Sequence, residues 1–316
     1  MKARGARCTV TEFHAAVNVA FHNYEAEIYD EGHRDMWESL PAQFNILTED
    51  CVRACPDLPE RFRVLDIGCG TGLASDCLLR SPLGGRICEI DLLDTSSAML
   101  EFARRRATSW EVPVSCHETT LDNLAGLKQY ELIVGCSVLH HVPDLAAFLR
   151  CVRSRQTEGG LFLHLQDPNG DHLNDEQLRR RVAEVSERRL PEWVSRLAPR
   201  RVIGRLYREL TGQQRNDYLS KTNRELLRKG IIRKPLTVAE VFTITDIHVQ
   251  GGRGISIAQM RGWLPDYHLV SQRAYAFFGK LRSALPAARR VEEDDLVRRR
   301  ASDGAHIGAV WRLIRK

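Results

Sequence analysis

The residues able to do chemistry crowd into a few short stretches. Asp66-Ile-Gly68-Cys69-Gly70-Thr-Gly72 ends one apolar run and opens a helical one. Glycines at these positions let the backbone turn sharply and approach a ligand where a side chain would collide. The helix that follows offers unpaired N–H groups to a polar or anionic group. A nucleotide-type ligand at the carboxyl end of the first strand is the expected occupant. A dinucleotide fingerprint, G-x-G-x-x-G, would need a third glycine where Leu73 stands, and an ATPase-type phosphate loop would need Gly-Lys-Ser/Thr, which is absent there. About twenty residues on, Asp94 ends a second apolar run, where a carboxylate can accept both hydroxyl hydrogens of a ribose. Asp91 and Glu89 are rivals for that role.

His140 and His141 follow another apolar run. A neutral imidazole there could take a proton from an oxygen, a nitrogen or an acidic carbon, and His141 is the preferred base. Packing against the ligand, or capping the next helix, is the competing role. Asp167, in Gln166-Asp167-Pro168-Asn169, either orients a substrate group or simply forms a turn.

These residues need elements to position them. Residues 64–67, 86–93, 112–116, 131–137 and 160–166 read as strands, with helical patterns at 96–108 and 144–154 between them. Strand and helix in alternation predict an α/β fold, a doubly wound and mostly parallel sheet. The first forty residues read as helical, with Val17, Ala20, Tyr24 and Ile28 on one face and residues 29–32 ending the run. Residues 174–230 are long, charged and helical, broken at Pro191 and Pro199, with Leu178, Val182, Val185 and Leu190 as apolar ridges. Thr237–Glu240 and Ser256–Gln259 read as capping boxes. Strand character returns at 267–278 and 306–314. Residues 244–250 carry no mechanism that the pattern assigns.

Composition sets limits. The chain has 316 residues, 43% of them hydrophobic and 28% charged, as in ordinary globular proteins. No apolar run is long enough to span a membrane and no secretory signal opens the chain, so a cytoplasmic protein is expected. Nine cysteines lack metal-ligand spacing, Cys51 and Cys55 included, so reduced and mostly buried thiols and no metal site are expected. The net charge is +5, yet residues 171–250 hold 17 Lys/Arg against 11 Asp/Glu. That excess admits an acidic acceptor, and it keeps a nucleic-acid-directed enzyme, using Arg179-Arg180-Arg181 and Arg200-Arg201, as the alternative. Few aromatics (Trp193, Tyr207, Tyr218) interleave with those arginines, which makes nucleic acid the weaker partner.

Taken together, hhDhGxGxG at residues 64–72, Asp94-Thr95-Ser-Ser-Ala-Met99-Leu100, and residues 130–144 with their His140-His141-Val turn resemble class I SAM-dependent methyltransferases. The resemblance covers roughly residues 20–170 and the last fifty. It implies a seven-stranded Rossmann-like sheet whose last strand, 306–314, runs antiparallel. S-adenosylmethionine (SAM) is the implied cofactor and S-adenosylhomocysteine (SAH) its product. The carry-over gives Asp66, Gly68, Cys69, Gly70, Gly72, Asp94, Thr95, Met99, Ser137 and Tyr29 as cofactor-binding. Where the family often has Asp-Ala after its third strand, this chain has Glu118-Thr-Thr120-Leu121-Asp122, so Thr120 and Leu121 take the adenine role. No Asn/Asp-Pro-Pro-Tyr/Phe motif follows the fourth strand, which favours a small-molecule acceptor over DNA bases or glutamine amides. A SAM-binding enzyme of a non-methyl reaction keeps the same cofactor motifs. The organisation implied is a helical lid at 1–50, a cofactor-binding core at 51–170, a helical insertion roofing the acceptor at 171–255, and completion of the sheet at 256–316.

Overall fold

A computed structural model describes residues 1, 4–186, 218–248 and 254–314. Pro191, Pro199, Leu190, Trp193, Arg200, Arg201, Tyr207, Val249 and Gln250, all weighed above, lie outside the described residues.

Helix α1 (Val10–Glu25) opens at a complete capping box: Thr9 Oγ1 accepts from the Glu12 N–H, and the Glu12 carboxylate accepts from the Thr9 N–H at 2.8 Å. A single helical turn, α2 (Tyr29–Gly32), leads into α3 (Arg34–Ala54), which runs through Pro41. The patterned alternation follows as β1 (Phe62–Ile67), α4 (Leu73–Leu79), β2 (Ile87–Asp94), α5 (Ser97–Ala107), β3 (Val114–Glu118), β4 (Tyr130–Cys136), α6 (Leu145–Ser154) and β5 (Gln156–Pro168). Next come α7 (Glu176–Ser186), α8 (Tyr218–Arg228), α9 (Val238–Thr245) and α10 (Ile257–Trp263). The sheet is completed by β6 (Tyr267–Tyr275), α11 (Ala287–Arg298) and β7 (His306–Leu313).

The seven strands lie in the order β3-β2-β1-β4-β5-β7-β6. The first five run parallel, and β7 is antiparallel to both β5 and β6. The expected doubly wound sheet with a reversed last strand is therefore the fold. Strand order changes direction between β1 and β4, so a crevice opens outside their carboxyl ends. Strands buried on both faces read as apolar runs. In β1, Val64 joins the cluster with Phe44, Leu92 and Leu163, while Leu65 joins Ile133, Phe162 and Trp311 on the other face.

A third apolar cluster stands apart from the sheet. Phe13, Val17, Ala20 and Phe21 of α1 pack with Leu226, Ile232, Leu236 and Val241 from α8, α9 and the turn between them. Each large apolar side chain so buried contributes about 1.5–3 kcal/mol. The surface pair Arg4–Glu240 on the same body adds little, because water screens it. The segment expected as a lid and the segment expected as a roof thus share one core.

Several expectations change in detail. Residues 29–32 interrupt the helix rather than end it, and β5 begins at Gln156, earlier than 160. At Thr237 both halves of the capping box form, whereas at Ser256 the forward bond from the Gln259 N–H is the one present, and Ser256 Oγ is also held by Asp171. All nine cysteines carry free thiols, but five of them are only half-buried. Arg181 turns inward onto Asp303 and Arg180 pairs with Glu176, so this arginine run presents less free charge than its sequence implied.

Candidate active site

The glycine loop leaves β1 at Asp66, which is fully buried. Asp66 Oδ2 accepts the Ser75 hydroxyl at 2.7 Å, while Oδ1 is buried with no hydrogen-bond partner. Burial drives the Asp66 carboxyl up to about 7 against the pull of the Ser75 bonds. Gly68 and Gly70 hold φ of +60° and +54°. A Cβ on Gly68 would lie 2.7 Å from Val138, so no side chain fits; beside Gly70 nothing stands within 4 Å, which leaves room for a ligand. The Cys69 N–H bonds the Leu93 carbonyl, tying the loop to β2, and Gly72 opens α4 with φ of +89°.

Asp94, at the end of β2, shapes that loop directly. Its carboxylate accepts from the Gly70 N–H at 2.9 Å and the Ser96 N–H at 2.8 Å. Thr95 beside it is half-buried, and Met99, on the first turn of α5, is buried. Burial raises the Asp94 carboxyl, with those backbone N–H groups opposing. Thr120 is exposed after β3, its Oγ1 taken by Asn123. Leu121, expected against an adenine, belongs to an apolar cluster of the core.

The N-terminal helical segment meets this loop through polar contacts that the motifs did not announce. Asp30, beside Tyr29, accepts from Thr71 Oγ1 at 2.7 Å, from Trp37 Nε1 at 3.2 Å and from Arg106 at 2.6 Å. The Arg106 guanidinium lies 4.1 Å above the Trp37 ring and also bonds the Thr71 carbonyl. Asn23 Oδ1 accepts the Ser96 hydroxyl at 2.7 Å. The Tyr29 hydroxyl is pushed up by burial and by Glu25, Cys136 and Asp94, and its ring packs on His33 at 4.5 Å. The available signal was weak: Thr71 sits inside the glycine motif, and Asp30 adjoins Tyr29.

At the ends of β4 and β5 two non-glycine residues, Ser137 (φ +60°) and Gln166 (φ +66°), adopt left-handed backbone. Such strain gathers where surrounding structure must aim side chains. Ser137 is held by its N–H on the Leu165 carbonyl, and Gln166 Oε1 accepts the Tyr275 hydroxyl. His140 and His141 follow on a short 3-10 turn. His140 Nδ1 lies 2.9 Å from Asp167 Oδ1. His141 Nδ1 lies 2.7 Å from the Thr245 carbonyl and 3.4 Å from Asp246. The His22 ring of α1 stands edge-on to His141 at 5.3 Å. Burial, with His140 and His22, holds the His141 imidazole well below its ordinary range. His140, His141 and Asp246 bring ligand-capable atoms within 4.8 Å of one another.

Two expectations meet their geometry here. Asp167 has no solvent exposure, so it does not reach the rim where a substrate would touch it. Residues 244–248, which carried no assignment, lie across the histidine turn: the His248 N–H bonds the His140 carbonyl and its Nε2 the Val142 carbonyl at 2.8 Å.

Residues 65–162 match the family described as a methyltransferase domain. A ubiquinone biosynthesis O-methyltransferase of Methylocella silvestris is 36% identical over 111 residues, 35% of this chain and 41% of that protein. Its namesake from Alkalilimnicola ehrlichii is 30% identical over 146 residues, 44% of this chain and 57% of its own. The chain thus spans less than two thirds of the length of these curated relatives. The solved structure of the plantazolicin methyltransferase BpumL with SAH is 11% identical, covering 97% of this chain and 98% of that one, at a TM-score of 0.49. No helix among the described residues is long and apolar enough to cross a membrane. The family match lies on the strands and turns that build the crevice, so residues 65–162 of this chain are similar to a methyltransferase domain and sit in a Rossmann-like sheet.

Proposed function

We propose that the chain is a SAM-dependent O-methyltransferase whose acceptor is a small molecule with a phenolic hydroxyl. The observation that carries the cofactor is the buried, unpartnered Asp66 oxygen beside a loop with open space at Gly70. A buried acceptor without a donor is costly unless a ligand supplies one. Asp94, the Gly68–Gly72 loop, Thr95, Met99, Ser137, Thr120 and Tyr29 would hold the cofactor, which when bound supplies an electrophilic methyl group. The acceptor class rests on the relatives' names, and a hydroxyl of that kind profits from a base.

The chain's own residues then do three things. The cap, tied by Asp30 and Asn23, excludes water from the crevice. The roof at 171–255 sets which acceptor enters, over a core at 51–170 completed by 256–316. The His140–His141 turn brings imidazoles to the carboxyl end of β4, beside that crevice, and the acceptor is held in line with the methyl group, where positioning supplies much of the rate.

The test is a calorimetric titration with SAH, with NAD as control, followed by mass spectrometry of a phenol panel incubated with SAM. Tight SAH binding and a gain of one methyl group support the reading. Folded protein that binds NAD and not SAH would end it.

A further inference from the structure

Two histidines follow β4 on one turn, and the hydrogen-bond partners of their Nδ1 atoms differ in kind. His141 Nδ1 faces a neutral carbonyl, that of Thr245, at 2.7 Å. His140 faces a carboxylate. Asp167 Oδ1 accepts twice from this one residue, from ring Nδ1 at 2.9 Å and from the backbone N–H at 3.2 Å. One oxygen therefore holds both the 3-10 turn and the ring it carries.

The hydrogen bond at one ring nitrogen decides which nitrogen keeps the lone pair. Against a carboxylate, His140 Nδ1 is the protonated atom. The lone pair is then on Nε2, across the ring from Asp167. His140 retains 8% exposure while Asp167 has none, so the accessible part of the pair is the imidazole.

Asp167 is an expensive group to bury. Burial alone pushes its carboxyl up, yet the bond from His140 and the nearness of His164 hold it down at about 2. Its Oδ2 has no hydrogen-bond partner and lies 3.8 Å from His164 Nδ1, beyond bonding reach. A buried anion of this sort stabilises a positive charge placed on its one close partner. Arrival of a proton on His140 would create that charge. The carbonyl bonded to His141 carries no net charge, and the Asp246 carboxylate lies farther from that ring, at 3.4 Å, and is partly open to water where Asp167 is not.

We infer that His140 is the base that takes the acceptor's proton, and that Asp167 is the positioning residue that selects its tautomer and stabilises its imidazolium. The inference rests on the methyl-transfer reading above. The hydroxyl proton passes to His140 Nε2 while the oxygen's lone pair forms the new O–CH3 bond. The S–CH3 bond breaks with its electron pair left on sulfur, and Nε2 afterwards releases the proton to water.

Two measurements on the full chain test it. Long-range 1H–15N spectra of histidine-labelled protein, with the His140 signals assigned by their loss in His140→Gln, are expected to show a proton on Nδ1 and none on Nε2. A wild-type His140 protonated at Nε2 overturns the inference whatever the activity. With catechol as the probe, His140→Gln should lower kcat by roughly 10²–10⁴-fold, the usual range for a general base. Asp167→Asn, which keeps the size and an acceptor oxygen, should lower kcat about 10–100-fold with KM and SAH affinity within about twofold. In the His140→Gln background Asp167→Asn should cost nothing more. Near pH 10, where a phenol ionises unaided, both variants should approach wild-type turnover. Losses that simply add would make Asp167 structural and refute its role. If the wild type binds SAH and leaves catechol untouched, it is the acceptor reading that fails, and the tautomer spectra alone decide the fate of the His140–Asp167 pair.

Discussion

Thr71, inside the glycine loop, donates its hydroxyl to Asp30 in the N-terminal segment at 2.7 Å. Forty-one residues separate the two in sequence. The bond joins the glycine loop to the N-terminal helical segment, and Arg106 and Trp37 converge on the same carboxylate.

If that contact holds the cap closed, Asp30→Ala should weaken SAH binding. Loss of hydrogen bonds to a charged group costs about 1.5–3 kcal/mol each. Partial exposure of Asp30 reduces this, so about a 5- to 50-fold rise in Kd by calorimetry is expected. Unchanged affinity would mean that the cap closes without the clasp.

Asp94→Asn should raise the Kd for SAH about 10- to 100-fold through loss of charged hydrogen bonds. Because the same carboxylate accepts from Gly70 and Ser96, a modest fall in Tm should accompany it. An intact Kd would leave Asp94 as a brace of the loop only.

The Asp66 carboxyl, raised by burial to about 7 from an ordinary 3.8, makes a pH prediction. An acid whose folded value is raised binds more protons folded than unfolded. The folded state is therefore favoured below the unfolded value, and stability falls as pH rises from there toward 7. The swing is at most ~4 kcal/mol at 1.36 kcal/mol per unit. Asp66→Asn keeps an acceptor for Ser75 and removes the titration. Its Tm relative to wild type should therefore be higher at pH 8 than at pH 5. A constant difference between the two pH values would show that Asp66 does not titrate in this range.

Phe21 packs against the rings of Tyr218 and Phe242 at 5.5 and 5.7 Å. Phe21→Ala should remove about 3–5 kcal/mol from that cluster. Limited proteolysis should then cut both α1 and the 218–248 segment faster, and SAH affinity should drop with them. Selective loosening of the 218–248 segment, with α1 still protected, would argue that cap and roof are independent. The shared cluster also alters an expectation drawn from the chain's linear order. Excising 171–250 would strip α1 of its partners, so cofactor binding should suffer along with acceptor recognition.

The local patterns were enough for the alternating strands and helices, the glycine loop and the acid that ends β2. Those signals are local because a strand buried on both faces must be apolar and a backbone at positive φ favours glycine. The antiparallel last strand was expected only through the family resemblance, and the sheet order now places it between β5 and β6. Other features were decided by tertiary structure alone. Nothing near Asp167 in sequence marks it as the partner of His140 rather than of a substrate, because β5 must first lie beside β4. Residues 244–248 acquire a role only when α9 is laid across the histidine turn. Asp30 becomes a clasp only when the cap, held by apolar burial between α1 and α8–α9, is brought down on the loop. Hydrogen bonds between residues 27 to 104 positions apart leave no periodic trace in a sequence. Burial of apolar surface assembles the elements, and the polar contacts then formed select which side chains face the crevice.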